Sequence, residues 1–105
     1  MASPWSLERT PEGISVVGEI DLAGAEDFVE EFCVVARDAP RPLLVDMTGV
    51  TFMDSSGIIA LTRVAAALGT SQIVVLPSRQ VFRLLEVAGL AKEGAWDNVT
   101  VLPAD

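Results

Sequence analysis

Three adjacent residues, Asp54, Ser55 and Ser56, followed by Gly57, carry the side chains of this sequence best placed to do chemistry. They sit inside GVTFMDSSGIIAL, Gly49 to Leu61, between an apolar run and residues that recur at helical spacing. Two hydroxyls beside a carboxylate can end a loop and cap the next helix. Alternatively, one serine is presented to something, as a nucleophile or as the target of another protein. The remaining residues decide between these roles.

A nucleophilic serine needs a base, and the chain supplies none of the usual ones. It has no histidine and one cysteine, Cys33, so Ser-His-Asp and Cys-His arrangements cannot be built and the usual zinc sites are excluded. Ser55 and Ser56 lack the G-x-S-x-G frame of a hydrolase elbow. Neither G-x-x-x-x-G-K-[ST] nor G-x-G-x-x-G occurs, and the single lysine, Lys92, is far along the chain. An enzyme is not expected, and no cofactor or metal is implied.

Formal net charge is -8, from 15 acidic and 7 basic residues among 105. Residues 1–54 hold 11 of the acids and only 3 of the bases, so the second half is neutral. An acidic surface repels phosphate backbones, which argues against nucleic acid and for a basic protein face as partner. Half of the residues are apolar, yet no run reaches the roughly 20 needed to span a bilayer. The start, residues 1–9, has no basic segment leading into an apolar one, and the lone cysteine cannot form an internal disulfide. Together these place the expected protein in the cytoplasm, as one domain over residues 1–105, a monomer or weak dimer without direct membrane insertion.

The elements that must position the serines emerge from periodicity. Residues 5–9 and 14–21 are short apolar-rich strands separated by Thr10-Pro11-Glu12-Gly13, a turn signal that predicts a hairpin. Asp21 then ends a strand and is placed to cap the first helix. From 23 to 38, Ala25, Phe28, Val29, Phe32, Val35 and Ala36 fall at helical spacing, with Glu26, Asp27, Glu30 and Glu31 as a solvated acidic face. Leu43 to Met47 is a continuous apolar strand with one acid. A second helix is predicted from about 56 to 68, with Ile58, Leu61, Ala65 and Leu68 inward and Arg63 its only charge. A strand over 72–76, a helix begun by Pro77-Ser78 with Val81, Leu84, Leu85 and Ala88 inward, and a strand over 99–102 complete the chain. This alternation predicts an α/β fold: a mixed, mostly parallel sheet of about five strands with an N-terminal β-hairpin and three main helices. Functional groups in such sheets gather at the carboxyl ends of the strands, which makes Asp21 and the Asp54–Gly57 segment neighbours in space.

The blocks VVGEIDLAGAEDF, Val16 to Phe28, and LLVDMTGVTFMDSSGIIAL, Leu43 to Leu61, resemble the STAS domains, specifically the bacterial anti-sigma-factor antagonists. The first is similar to that family's G-E-[LI]-D strand end and the second to its D-S-[ST]-G motif, and the resemblance spans about residues 5–102. It implies a role. Unphosphorylated family members bind an anti-sigma factor that is also an ATP-dependent serine kinase, and thereby release the sigma factor. The kinase modifies the second residue after the motif acid, and a serine phosphatase reverses it.

Carried onto this chain, the resemblance makes Asp54 the motif acid, Ser55 the first serine, Ser56 the phosphoacceptor and Gly57 the motif glycine. Asp21 becomes the acid beside the acceptor. Apart from the resemblance, Ile58 and Ile59 read first as core residues and second as candidate partner contacts, one of which would anchor a partner if exposed beside Ser56. Gly57 would admit the approach of a kinase backbone or simply fit a tight loop. The chain ends soon after its last strand, where many members carry a further helix, so less cover is expected on one sheet face. Two competing readings stand beside this one: a STAS adaptor subunit in a stress-signalling or membrane-transport complex, indifferent to Ser56, and a small nucleotide-binding module, against which the missing phosphate loop counts.

Overall fold

The computed structural model describes residues 4–104. Its eight elements run in the order β1 (Trp5–Arg9), β2 (Gly13–Ile20), α1 (Ala25–Ala36), β3 (Leu43–Met53), α2 (Ser55–Ala67), β4 (Ile73–Pro77), α3 (Arg79–Val87) and β5 (Val99–Val101). The five strands form one sheet in the order β1-β2-β3-β4-β5. The β1-β2 pair is an antiparallel hairpin and every other pair is parallel. This is the α/β architecture expected, with the predicted three helices.

β3 departs most from expectation, running six residues beyond Met47. Its pairing with β2 slips twice, between Ser15 and Val17 and again between Gly18 and Glu19. Each slip inserts an unpaired residue and turns the next side chains over, so the buried positions run Leu43, Val45, Met47 and then Val50 and Met53. Strict alternation stops at Met47, which is why periodicity places the strand's end there. β4 pairs only with residues 43–47 of β3. α3 packs against β3, and Gln80 Nε2 donates to the Met53 carbonyl at 3.0 Å.

The helices stand where periodicity puts them, with adjusted ends. α1 begins at Ala25 and ends at Ala36, shorter at both ends than the 23–38 expected. Its buried stripe is Phe28, Val29, Phe32 and Ala36. Trp5 meets the Phe28 ring edge-on at 5.5 Å, and Phe28 lies 5.6 Å from Phe32, so an aromatic row fastens the start of α1 to β1. In α2 the buried stripe is Gly57, Ala60, Leu61, Val64 and Ala65, turned slightly from the expected one, with Ile58 and Leu68 half-buried at its margin. α3 buries Val81 and Leu85 as expected, but it stops at Val87, and Ala88 is exposed beyond its end rather than inward.

Two side chains distant in sequence finish these helices. The Arg41 guanidinium donates to the Ala36 and Ala39 carbonyls at 2.9 and 2.8 Å, at the end of α1. Asn98 Nδ2 donates to the Ala65, Gly69 and Ser71 carbonyls at 2.9–3.2 Å, at the end of α2. Each satisfies one last-turn carbonyl, Ala36 or Ala65, and ties it to carbonyls of the loop that follows the helix. Among the described residues no polar or charged residue is fully buried, and no helix is long and apolar enough to cross a membrane.

The aromatic row gives a direct test of what holds α1 in place. Phe28 is fully buried, whereas Val34 on the same helix is 60% exposed. Phe28→Ala is expected to lower stability by about 3–5 kcal/mol and Val34→Ala by less than ~0.5 kcal/mol. Urea denaturation monitored by circular dichroism reads both, the first as a large fall in midpoint.

Candidate functional site

The serines are held by the junction of β3 with α2, which contains a single residue. Met53 ends the strand, Asp54 stands alone in extended conformation, and the helix starts at Ser55. The Asp54 amide donates to the Ile20 carbonyl at 3.4 Å, which ties the ends of β3 and β2 together. Its carboxylate accepts from the Ser56 amide at 2.9 Å, while its carbonyl accepts from the Gly57 amide at 2.9 Å. Asp54 is thus the N-cap of α2.

Asp21 lies at the end of the adjacent strand, so the expected proximity to Asp54 holds, because Ile20 pairs with Met53. Its expected role as the cap of α1 does not hold. The Asp21 carboxylate accepts from the Ala23 amide at 3.1 Å and its carbonyl accepts from the Gly24 amide at 3.2 Å, which closes a turn before the helix. Gly24 occupies the N-cap position of α1 and offers no side chain. The physical reason is the intervening turn, which leaves the Asp21 carboxylate too early in the chain to reach the helix amides.

Gly57 faces the interior. A Cβ there would overlap Met53 Cγ, come to 2.7 Å from Met53 Sδ and lie 3.6 Å from Ile20. Packing therefore requires glycine, because α2 crosses the buried Met53 at close range. Ile58 is half-buried against the core, whereas Ile59 is 61% exposed. Ser55 is exposed and Ser56 half-buried.

Ser56, Ile59, Ala60 and Arg63 recur at i, i+3, i+4 and i+7, which places them on one stripe of α2. That stripe faces the start of α1 across an open groove of about 340 Å³. Leu22, Glu26 and Asp27 line the opposite wall. Leu22 is 78% exposed, so the groove has an apolar lip on each side and, among its lining residues, two acids facing one cation. No motif distinguishes Leu22, Glu26, Asp27 or Arg63. Arg63 carries one readable signal, its spacing of seven residues from Ser56.

This arrangement offers a hydroxyl with no base hydrogen-bonded to it among the described residues. The Ser56 hydroxyl makes no hydrogen bond among the described residues, and the adjacent Asp54 carboxylate is engaged by the backbone. No group of three or more side chains suited to a metal ion occurs among those residues. Cys33 lies elsewhere, beside Arg37 and Arg41.

Fold and site together define a class: a small α/β domain that presents a hydroxyl at the start of a helix, beside a groove. A family model described as Mlab, STAS domain, matches residues 5–102, and the chain belongs to the STAS domain family. Two solved structures share the fold. An anti-sigma factor antagonist from Mycobacterium paratuberculosis is 24% identical, with a TM-score of 0.70 over 99% of this chain and 92% of that one. The anti-sigma factor antagonist SpoIIAA in its unphosphorylated form is 22% identical, with a TM-score of 0.59 over 94% and 88%. No curated protein matches the sequence.

The contact beneath the site is testable through coupling. Gly57→Ala is expected to cost about 1–3 kcal/mol by overpacking and Met53→Ala about 2–5 kcal/mol by leaving a cavity. Because the two changes meet at one point, the double variant should lose at least ~0.5 kcal/mol less than their sum in chemical denaturation. Asp54→Ala should cost about 1 kcal/mol through the lost cap.

Proposed function

We propose that this protein is an anti-sigma-factor antagonist that acts by partner exchange in the cytoplasm and has no enzymatic activity of its own. Its unphosphorylated form binds an anti-sigma factor with serine kinase activity and so frees the sigma factor. Phosphorylation of Ser56 ends the binding, and a serine phosphatase restores it. The observation that carries this reading is the Ser56 hydroxyl, half-buried and without a hydrogen-bond partner among the described residues, beside the exposed side chains of Leu22 and Ile59. That both structural neighbours are anti-sigma factor antagonists supports it.

The chemistry is simple on this side of the complex. An Oγ–P bond forms on Ser56 while the bond between the β- and γ-phosphoryl groups of ATP breaks, ADP leaves, and the hydroxyl proton passes to the kinase or solvent. The product carries about -1.5 to -2 added charge. At the start of α2 the helix dipole favours an anion, so the fold survives the modification. A partner seated over Leu22 and Ile59 must desolvate or oppose that charge. The cost is several kcal/mol, and each ~1.4 kcal/mol is tenfold in affinity. Asp21, Asp54, Ser55 and Ile59 border this surface, while Gly57 and Ile58 support it from below.

A second reading, a STAS adaptor subunit indifferent to Ser56, draws on the sheet face opposite α1 and α2. There Leu44, Val74 and Leu76 are half-exposed on adjoining strands, away from the serine. One experiment separates the two readings. Wild type, Ser56→Ala and Ser56→Asp are used to capture partners from the native lysate. Ser56→Ala should retain an anti-sigma kinase that Ser56→Asp loses by tenfold or more, and the retained kinase should add phosphate to Ser56 of the wild type. Equal capture by all three favours the adaptor.

A further inference from the structure

Ser56 and Arg63 stand seven residues apart on α2, which is within about 20° of two full turns and about 10 Å along the axis. They therefore leave the helix on the same side, and both line the groove. Helical side chains slant toward the N-terminus, which carries the Arg63 guanidinium back over Ile59 and Ala60 toward Ser56. Among the described residues, Arg63 makes no hydrogen bond or ion pair and is the one cation in the groove lining. The other charged groups around Ser56 are all acids: Glu26 and Asp27 across the groove, Asp54 at the helix start and Asp21 in the turn before α1.

A phosphate added to Ser56 alone would be repelled by these four carboxylates and driven outward. An arginine fork reverses that preference, because a guanidinium binds phosphate oxygens in pairs. We propose that Arg63 is the intramolecular counter-ion of a phosphate on Ser56, drawing it along α2 into the groove. The pairing fills the space between the Leu22 and Ile59 lips and removes the groove's cation in one step. Arg63 is a positioning residue for the modified state and is idle in the unmodified one.

This inference rests on the reading of Ser56 as the modified residue, and its test is independent of any kinase. Phosphoserine is incorporated at position 56 during synthesis, and the phosphate is titrated by phosphorus NMR in otherwise wild-type protein, Arg63→Gln, Arg63→Lys and Glu26→Gln. A neighbouring cation stabilises the dianion, so Arg63→Gln should raise the second phosphate pKa by about half a unit or more. Arg63→Lys should recover most of that shift, and Glu26→Gln should move the pKa the opposite way. In urea, wild type and Arg63→Gln should titrate together. Identical titration of folded wild type and Arg63→Gln overturns the proposal. Failure of the kinase to act on Ser56 would overturn the proposed function and leave this titration result unaffected.

Discussion

The structure depends on the one-residue join between β3 and α2. With Asp54 alone between strand and helix, α2 must start directly at the carboxyl end of the central strand, and its first turn must cross the end of β3 at close range. Gly57 makes that crossing possible over Met53, and the Asp54 carboxylate takes the Ser56 amide so that the helix can begin there. Ser56 is consequently fixed by backbone geometry. Among the described residues its hydroxyl holds no contact on which the fold relies.

The same join keeps the Ser56 hydroxyl apart from the contacts that hold the fold. Groups that hold the junction are main-chain amides and carbonyls, the Asp54 carboxylate and the Met53 side chain, and none of them is the Ser56 hydroxyl. A charge added to that oxygen changes the surface without breaking a bond on which the fold relies. The groove beside it is shaped independently, by the aromatic row from Trp5 through Phe28 to Phe32 that seats α1. The groove thus joins two elements, the segment leading into α1 and the α2 stripe that carries Ser56.

Most of the architecture is legible in the sequence because helical and strand periodicities are strong here and turns are marked by glycine and proline. The hairpin, the three helices and the parallel strands all stand at their expected places. The features that escape are long-range or broken in period. Two slips in the β2-β3 register hide the second half of β3, since each inverts the side-chain alternation that marks a strand. Arg41 and Asn98 complete helices from far along the chain, and no local pattern announces them. Within the site, the motif points to Asp54, Ser56 and Asp21, but the groove cannot be read because it is created by the approach of α1 to α2. Gly57 is recognisable by its place in the motif, and its reason, the Met53 side chain beneath it, is visible only in three dimensions.

The central claim is that a phosphate on Ser56 abolishes partner binding while the fold persists. The direct measurement is made on one preparation of the protein, unmodified and fully phosphorylated at Ser56. Affinity for the purified anti-sigma kinase is determined by calorimetry alongside amide hydrogen exchange of β3 and α2. The account predicts at least a tenfold loss of affinity with unchanged protection of both elements. Undiminished affinity would contradict it, as would a loss of affinity accompanied by loss of protection across β3 and α2.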